Sequence, residues 1–295
     1  MLYGALEAGG TKMVCAVGDE KGHILERTVI PTHSPAETLP QMIDFYLGHD
    51  IAALGIACFG PIDLNRKSPT YGYITSTPKL EWRDTDIAGE FERKLHIPIG
   101  FDTDVNGSLL GEATWGCARG LDNAVYITIG TGVGGGVMSG GKLVHGMLHP
   151  ELGHMLIPRR AGDDYPGICP YHGDCLEGLV SGPSIEKRYG VKAELLGDRS
   201  DVWELEAYYI AEALVNIIMT LSPQKIILGG GVMHQEQLYP LIRSEVERML
   251  AGYIQAAPLE DMDSMIVPPS LNDDQGIMGA VRLAMEAAGS EPLPV

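Results

Sequence analysis

The chain has 295 residues, 45% of them apolar and 20% charged, with a formal charge of −18. That length can bury a sizeable core, most naturally in two domains. The acidic balance argues against nucleic acid or an anionic membrane surface as the main partner, because both need basic patches, and leaves small molecules as the expected ligands.

The first residues, Met1-Leu2-Tyr3-Gly4-Ala5-Leu6-Glu7, carry no basic region and no long apolar run, so no signal peptide is expected. The most apolar helical run, Ala207 to Leu221, contains Glu212 and Asn216 and is too short to span a bilayer. A cytoplasmic protein is expected. Tyr3 to Glu7 reads as a strand, Ala8-Gly9-Gly10-Thr11 as a tight turn, and Lys12 to Val17 as the returning strand, with a third strand from His23 to Ile30. Glycines at such a turn let backbone N–H groups approach a phosphate, and Thr11 and Lys12 add a hydroxyl and a cation; an ordinary hairpin turn is the simpler alternative.

An amphipathic helix follows from Ser34-Pro35, with Leu39, Met42, Ile43 and Tyr46 on one face and Ser34 as its cap. A buried strand from Ile51 to Ala57 ends at Phe59-Gly60-Pro61-Ile62-Asp63, the kind of strand end where open α/β sheets place their sites. Thr77-Pro78-Lys79-Leu80-Glu81-Trp82 reads as an irregular loop whose polar groups beside an aromatic suit a sugar, although a lone Trp more often packs. The strand Ile97 to Phe101 runs into Asp102-Thr103-Asp104-Val105-Asn106 and a helical period at Val105, Leu109, Leu110 and Ala113. A carboxylate at that junction is either a helix cap or a group able to take a proton from a bound hydroxyl.

After Gly120 the opening pattern is repeated: an apolar strand from Ala124 to Ile129, the turn Gly130-Thr131-Gly132-Val133-Gly134-Gly135-Gly136, and a return leg through Val144. Two such units imply duplicated domains, each offering a phosphate loop. Gly130, Gly132 and Gly135 satisfy a dinucleotide fingerprint, but no helical period follows, so that reading is rejected; a G-x-x-x-x-G-K-[ST] loop is absent from the sequence. Further on, Leu176 to Tyr189 and Val202 to Leu221 read as helices, Lys225 to Leu228 as a strand, Gly229-Gly230-Gly231-Val232-Met233 as a glycine turn, and Asp273 to Ala287 as a last amphipathic helix. A Pro-containing tail follows Gly289.

His154 with Cys169-x2-His172-x2-Cys175 makes a mixed nitrogen and sulfur set suited to Zn2+. Four protein ligands leave no open position, so the metal is expected to be structural. The other cysteines lie in an apolar setting (Cys15, Cys58) or just past a helix (Cys117) and read as filler, and H-E-x-x-H is absent. Glu151 and Glu177 flank the ligands, where a metal would hold both carboxylates in reach of sugar hydroxyls.

Taken in order, Glu7-Ala8-Gly9-Gly10-Thr11-Lys12, Asp104-Val105-Asn106, Gly130-Thr131-Gly132-Val133-Gly134, Glu151-Leu152-Gly153-His154, the Cys169 to Glu177 cluster and Gly229-Gly230-Gly231-Val232 resemble the ROK family of sugar kinases, and most closely its bacterial zinc-containing fructokinases. The resemblance implies an α/β, actin-like fold of two ribonuclease-H-like domains, residues 1–117 and 118–272, the second carrying the zinc insertion, with the helix of about 273–288 packing back on the first. It implies that Gly9, Gly10, Thr11 and Lys12 together with Gly130, Thr131, Gly132 and Gly134 cradle the phosphates of ATP, and that Gly229, Gly230 and Gly231 lie against adenosine. Asp104 matches the catalytic base, and Asn106, Glu151, His154, Glu177 and Lys79 the sugar-binding positions, with one ring nitrogen of His154 on the zinc. The implied reaction is phosphoryl transfer from MgATP to the 6-hydroxyl of fructose in a homodimer, with no nucleic acid or membrane partner; a glucokinase or mannokinase, or a non-catalytic sugar sensor, is the alternative. The sequence departs from many relatives at Glu7, where they carry Asp and which bears on the Mg2+ contact. It departs again at Thr103 and Lys79, where they carry Asn, and at His172, which replaces a cysteine ligand.

Overall fold

The computed structural model describes residues 1–290, and the tail beyond Gly289 lies almost wholly outside them. The described residues form two compact units: Met1–Leu121 with Gly141–His149 and the chain from Ser270 onward in one, Asp122–Gly140 with Pro150–Pro269 in the other. The sequence reading divides the chain once near residue 117 and again near 272; the contacts place the breaks at 121 and 269 and assign 141–149 to the first unit.

The first unit opens with a meander of β1 (Leu2–Ala8), β2 (Lys12–Asp19) and β3 (Ile24–Pro31), continues through α1 (Pro35–Leu47) and β4 (Leu54–Cys58), and passes a small hairpin of β5 (Tyr73–Ile74) and β6 (Thr85–Asp86). It then forms α2 (Ile87–Leu95), β7 (Ile99–Thr103) and α3 (Asp104–Trp115). Its sheet has the order β3-β2-β1-β4-β7. The first three strands are antiparallel, as tight Gly-containing turns allow, while β1, β4 and β7 are parallel because helices or long loops return the chain. One face packs Met42, Ile43, Tyr46, Phe91 and Trp82 against the sheet. Trp82 is 2% exposed and gives its indole N–H to His33 O at 2.7 Å, so it is core rather than a sugar platform. Pro35 occupies the first turn of α1, but the Ser34 side chain makes no capping bond.

The second unit is built on β8 (Ala124–Ile129) and β9 (Val133–Ser139); β10 (Lys142–Leu143) begins the segment that belongs with the first unit. It continues through α4 (Leu176–Val180), α5 (Gly182–Tyr189), the long α6 (Ser200–Leu221), β11 (Lys225–Gly229), α7 (Leu238–Leu250), the single turns α8 (Ala257–Glu260) and α9 (Met262–Met265), and β12 (Ile266–Val267). β8 pairs antiparallel with β9 and parallel with β11, which pairs parallel with β12. The expected helix from Leu176 to Tyr189 is two helices, because Ser181 is extended (φ −66°, ψ 154°) between them.

Last comes α10 (Gln275–Ala287), packed in the first unit on α3, β1 and β4. Small residues permit the approach: a Cβ at Gly55 would lie 1.8 Å from Ala280 O and one at Gly279 1.7 Å from Gly107 O. Ile277, Ala280, Val281 and Ala284 are buried there against Ala5, Ala16 and Ala57. At about 1.5–3 kcal/mol per buried large aliphatic side chain, this contact covers a face of the sheet that would otherwise be wet.

Candidate active site and metal centre

In the first unit the parallel register aligns three strand ends: Ala8 opposite Cys58, and Cys58 opposite Thr103. The Gly9–Lys12 turn and Asp104 therefore leave the same carboxyl edge of one sheet, the edge at which α/β sheets bind ligands. The turn is closed by Gly9 N–H donating to Lys12 O at 3.0 Å. Lys79 lies across it, its Cε 3.0 Å from where a Cβ on Gly10 would stand, so the structure brings this predicted sugar ligand beside the predicted phosphate turn.

Asp104 is the first residue of α3, but it is not the cap: Thr103 Oγ1 accepts from Asn106 N–H at 3.1 Å. Asp104 Oδ1 accepts from Val105 N–H at 2.9 Å. Its charge reaches Glu7. Burial, then repulsion from Asp104, pushes the Glu7 carboxyl up to about 7, against the pull of Lys12 and Arg27.

Sequence reasoning missed a cluster beside these residues. Buried Asp102 receives His145 Nε2 at 2.8 Å on one oxygen and Asn106 Nδ2 at 2.7 Å on the other. The hydrogen bond to Asp102 raises the pKa of His145. Asn106 thus has its amide N–H2 committed, while its buried Oδ1 has no hydrogen-bond partner among the described residues. Nearby, buried His149 accepts from Ile62 N–H at 3.2 Å, on the Phe59-Gly60-Pro61 turn. The alternation of Asp102 with Asp104 was a visible signal, but nothing in the segment from Lys142 to His149 marked His145 as its partner.

In the second unit the turn from Gly130 to Gly132 is closed by Gly130 N–H donating to Gly132 O at 2.9 Å, and a strand, not a helix, follows it. Thr128 pairs with Gly229, so Gly229–Gly231 emerges beside that turn. Gly230 has φ 90° and its Cα faces Ile129, where a Cβ would lie 2.5 Å from the carbonyl oxygen; only glycine fits this passage.

The four predicted metal ligands are together. One ligand atom each from His154, Cys169, His172 and Cys175 lies within 4.8 Å of all the others. His154 Nδ1 is 3.7 Å from Cys169 Sγ and 3.6 Å from Cys175 Sγ, and His172 Nδ1 is 3.6 Å from Cys169 Sγ. A tetrahedral Zn2+ with ordinary Zn–S and Zn–N bonds has nitrogen-to-sulfur edges of about 3.5 Å, so the donor set and spacing fit the ion. Burial pushes the Cys175 thiol up to about 11, with Cys169 and Glu177 adding to the rise, so a cation is what would hold it as thiolate. Glu177 Oε2 accepts from Val133 N–H at 2.9 Å, and burial and the Glu177 charge raise the pKa of Glu151.

The profile described as "ROK family" matches residues 3–287. A fructokinase of Pediococcus pentosaceus is 46% identical over 287 residues, covering 97% of this chain and 99% of that protein. A fructokinase of Streptococcus mutans serotype c is 42% identical over 293 residues, covering 97% and 98%. Among solved structures, a ROK hexokinase from Thermus thermophilus superposes with a TM-score of 0.79 at 25% identity, covering 97% of this chain and 98% of that one.

Proposed function

The chain belongs to the ROK family, and we propose that within it this protein is an ATP-dependent fructokinase, transferring the γ-phosphoryl group of ATP to the 6-hydroxyl of D-fructose. Its fold is the actin-like ATPase fold of sugar kinases, and full-length relatives 46% and 42% identical bear the fructokinase name. The observation that carries the mechanistic reading is the common strand edge in the first unit, which sets Asp104 and the Gly9–Lys12 turn at one end of one sheet. Among the described residues no helix is long and apolar enough to cross a membrane. The reading extends to a cytoplasmic homodimer, the assembly usual in such kinases.

Asp104 orients the sugar hydroxyl and accepts its proton as the oxygen attacks the γ-phosphorus. The turns Gly9–Lys12 and Gly130, Thr131, Gly132 and Gly134 hold the phosphates through the N–H groups that their closing bonds leave open, those of Gly9 and Gly130 being spent on the closure, with Lys12 offsetting the phosphate charge. Gly229, Gly230 and Gly231, lacking side chains, offer a flat surface to adenine. Most of the acceleration in such a transfer comes from positioning and electrostatics. Mg2+, when bound with ATP, supplies charge neutralisation at the phosphates. Glu7, whose carboxyl is pushed up to about 7 beside Asp104, is the acidic group a nearby cation would relieve.

Asn106, Glu151, His154, Glu177 and Lys79 are the proposed sugar contacts. Since His154 Nδ1 faces both thiols, its Nε2 is the nitrogen left for a hydroxyl. His154, Cys169, His172 and Cys175 hold a structural Zn2+. ADP release on adding fructose, glucose or mannose tests the proposal: the highest kcat/KM is expected with fructose. A preference for glucose or mannose would reassign the substrate, and no release with any of them would leave a sugar-binding sensor.

A further inference from the structure

Both arms of the metal centre end on one residue of the second glycine turn. Val133 begins β9 immediately after Gly132. On one side its N–H donates to Glu177 Oε2 at 2.9 Å, and Glu177 stands two residues after the ligand Cys175. On the other side its carbonyl is packed against Gly153, so closely that a Cβ there would lie 1.8 Å from the oxygen; the next residue is the ligand His154. Leu152 adds to this jaw by lying on Gly135, where a Cβ would come within 2.6 Å of Leu152 Cδ1.

The two jaws are tied to each other behind the turn. Leu176 N–H donates to Met155 O at 3.0 Å, and Leu156 bridges to Cys175. Their relative position therefore depends on the same short segments that bring the four ligands together. Glu177 is also hemmed in from the turn side, its Oε2 lying 2.7 Å from where a Cβ on Gly132 would be. A carboxylate that close to Gly132 would repel a phosphate if it swung free, and gripping the Val133 N–H keeps it turned aside.

We infer that the Cys/His centre is a positioning device for the nucleotide turn. With zinc bound, Glu177 and Gly153 clamp Val133 from its N–H and its carbonyl and fix the N–H groups of Thr131 and Gly132 in the arrangement that receives a phosphate of ATP. Loss of zinc loosens both jaws, so nucleotide affinity falls even when no sugar is present. Glu177 is a positioning residue for this turn in addition to its place on the sugar side. The inference rests on the reading of that turn as a phosphate site.

The test is ADP binding without sugar, measured by calorimetry in Mg2+ buffer, for the zinc-loaded protein and for protein stripped by a chelator that is then removed. Zinc content and melting temperature are followed in parallel. Stripping is expected to weaken ADP binding about tenfold or more, the scale on which partners of a metal shell act. Glu177→Ala should weaken it similarly in the loaded protein and reduce the further effect of stripping to the share carried by the Gly153 jaw, as coupled sites do. Glu177→Gln, whose carbonyl oxygen still accepts from Val133, should retain wild-type affinity. Stripped, folded protein that binds ADP as before would overturn the inference. So would equal affinities of the loaded Ala and Gln variants, a comparison that holds even if stripping unfolds the chain. Loaded wild-type protein that binds no ADP at all would remove the phosphate-site reading as well, which separates that failure from the others.

Discussion

The two glycine turns are one backbone design used twice, and they are supported in different ways. At Gly9–Lys12 the support comes from the residue that follows β3 of the same meander: Thr32 Oγ1 donates to Gly9 O at 2.8 Å and Thr32 N–H to Thr11 O at 3.0 Å. At Gly130–Val133 it comes from outside the hairpin, through Glu177, Gly153 and Gly182 N–H, which donates to Gly130 O at 2.8 Å. Their charges differ as well. Lys12 and Lys79 attend the first turn, whereas a carboxylate attends the second. A duplicated hairpin can keep its strand pairing while its outer support diverges, because the pairing needs only backbone groups. On the proposed reading, the first turn carries charge and chemistry, and the second would depend on a cation held behind it.

The largest effect expected from breaking this division lies at Asp104, on the sheet edge that carries the first turn. Asp104→Asn keeps the side chain's size and its acceptor oxygen for Val105 N–H, but removes the base. Turnover should fall about 10³-fold, within the range for lost general-base catalysis, while the dissociation constant for fructose changes less than about threefold. Steady-state kinetics and calorimetry measure the two, and near-normal turnover would remove Asp104 from the chemistry.

Next in size is a pair of matched glycine substitutions. Gly153→Ala drives a methyl group into the Val133 carbonyl, 1.8 Å away, where backbone must move on both sides. A loss of about 3 kcal/mol is expected, at the upper end of overpacking costs. Gly10→Ala meets only Lys79 Cε at 3.0 Å, the far part of a flexible side chain, and should cost about 0.5 kcal/mol or less. Denaturant melts give both values, and equal losses would mean that the two turns are held alike.

The contrast also shows how much could be read in the sequence. The repeated strand–glycine–strand pattern, the four ligands and the junction at Asp104 were legible because each is a local run of residues with a chemical reason. Lys79 was legible as a polar loop residue, but its position across Gly10 depends on how a loop folds over a turn 69 positions earlier in the chain, and local spacing does not encode that. The same holds for Asp102 and His145, joined at 2.8 Å across 43 positions. Glu177 was visible as a carboxylate that a metal at the Cys/His cluster would fix. That one of its oxygens faces Val133 depends on the break at Ser181 and on the 3₁₀ turn at Leu152–His154, both set by packing.

A smaller effect, and one that tests the charge side of the comparison alone, is the pH dependence of Glu7→Gln. The Glu7 carboxyl is raised from 4.5 to about 7 in the folded chain, chiefly by burial and then by Asp104. The folded state therefore binds this proton more tightly than the unfolded state does, and stability falls as pH rises from about 4.5 through 7, with the full penalty present above that range. Glutamine does not titrate and fills nearly the same volume. In the ligand-free protein the variant should match the wild type near pH 4.5 and exceed it by on the order of 2 kcal/mol at pH 8, a figure reduced from the full shift because Glu7 is only partly shielded from water. Gly153→Ala changes no charge, so its cost should stay flat over the same range. A Glu7→Gln difference that is equally flat would mean that Glu7 stays ionised in the fold, and that the charge at the first turn is balanced by Lys12 and Arg27 instead of being held back as a proton.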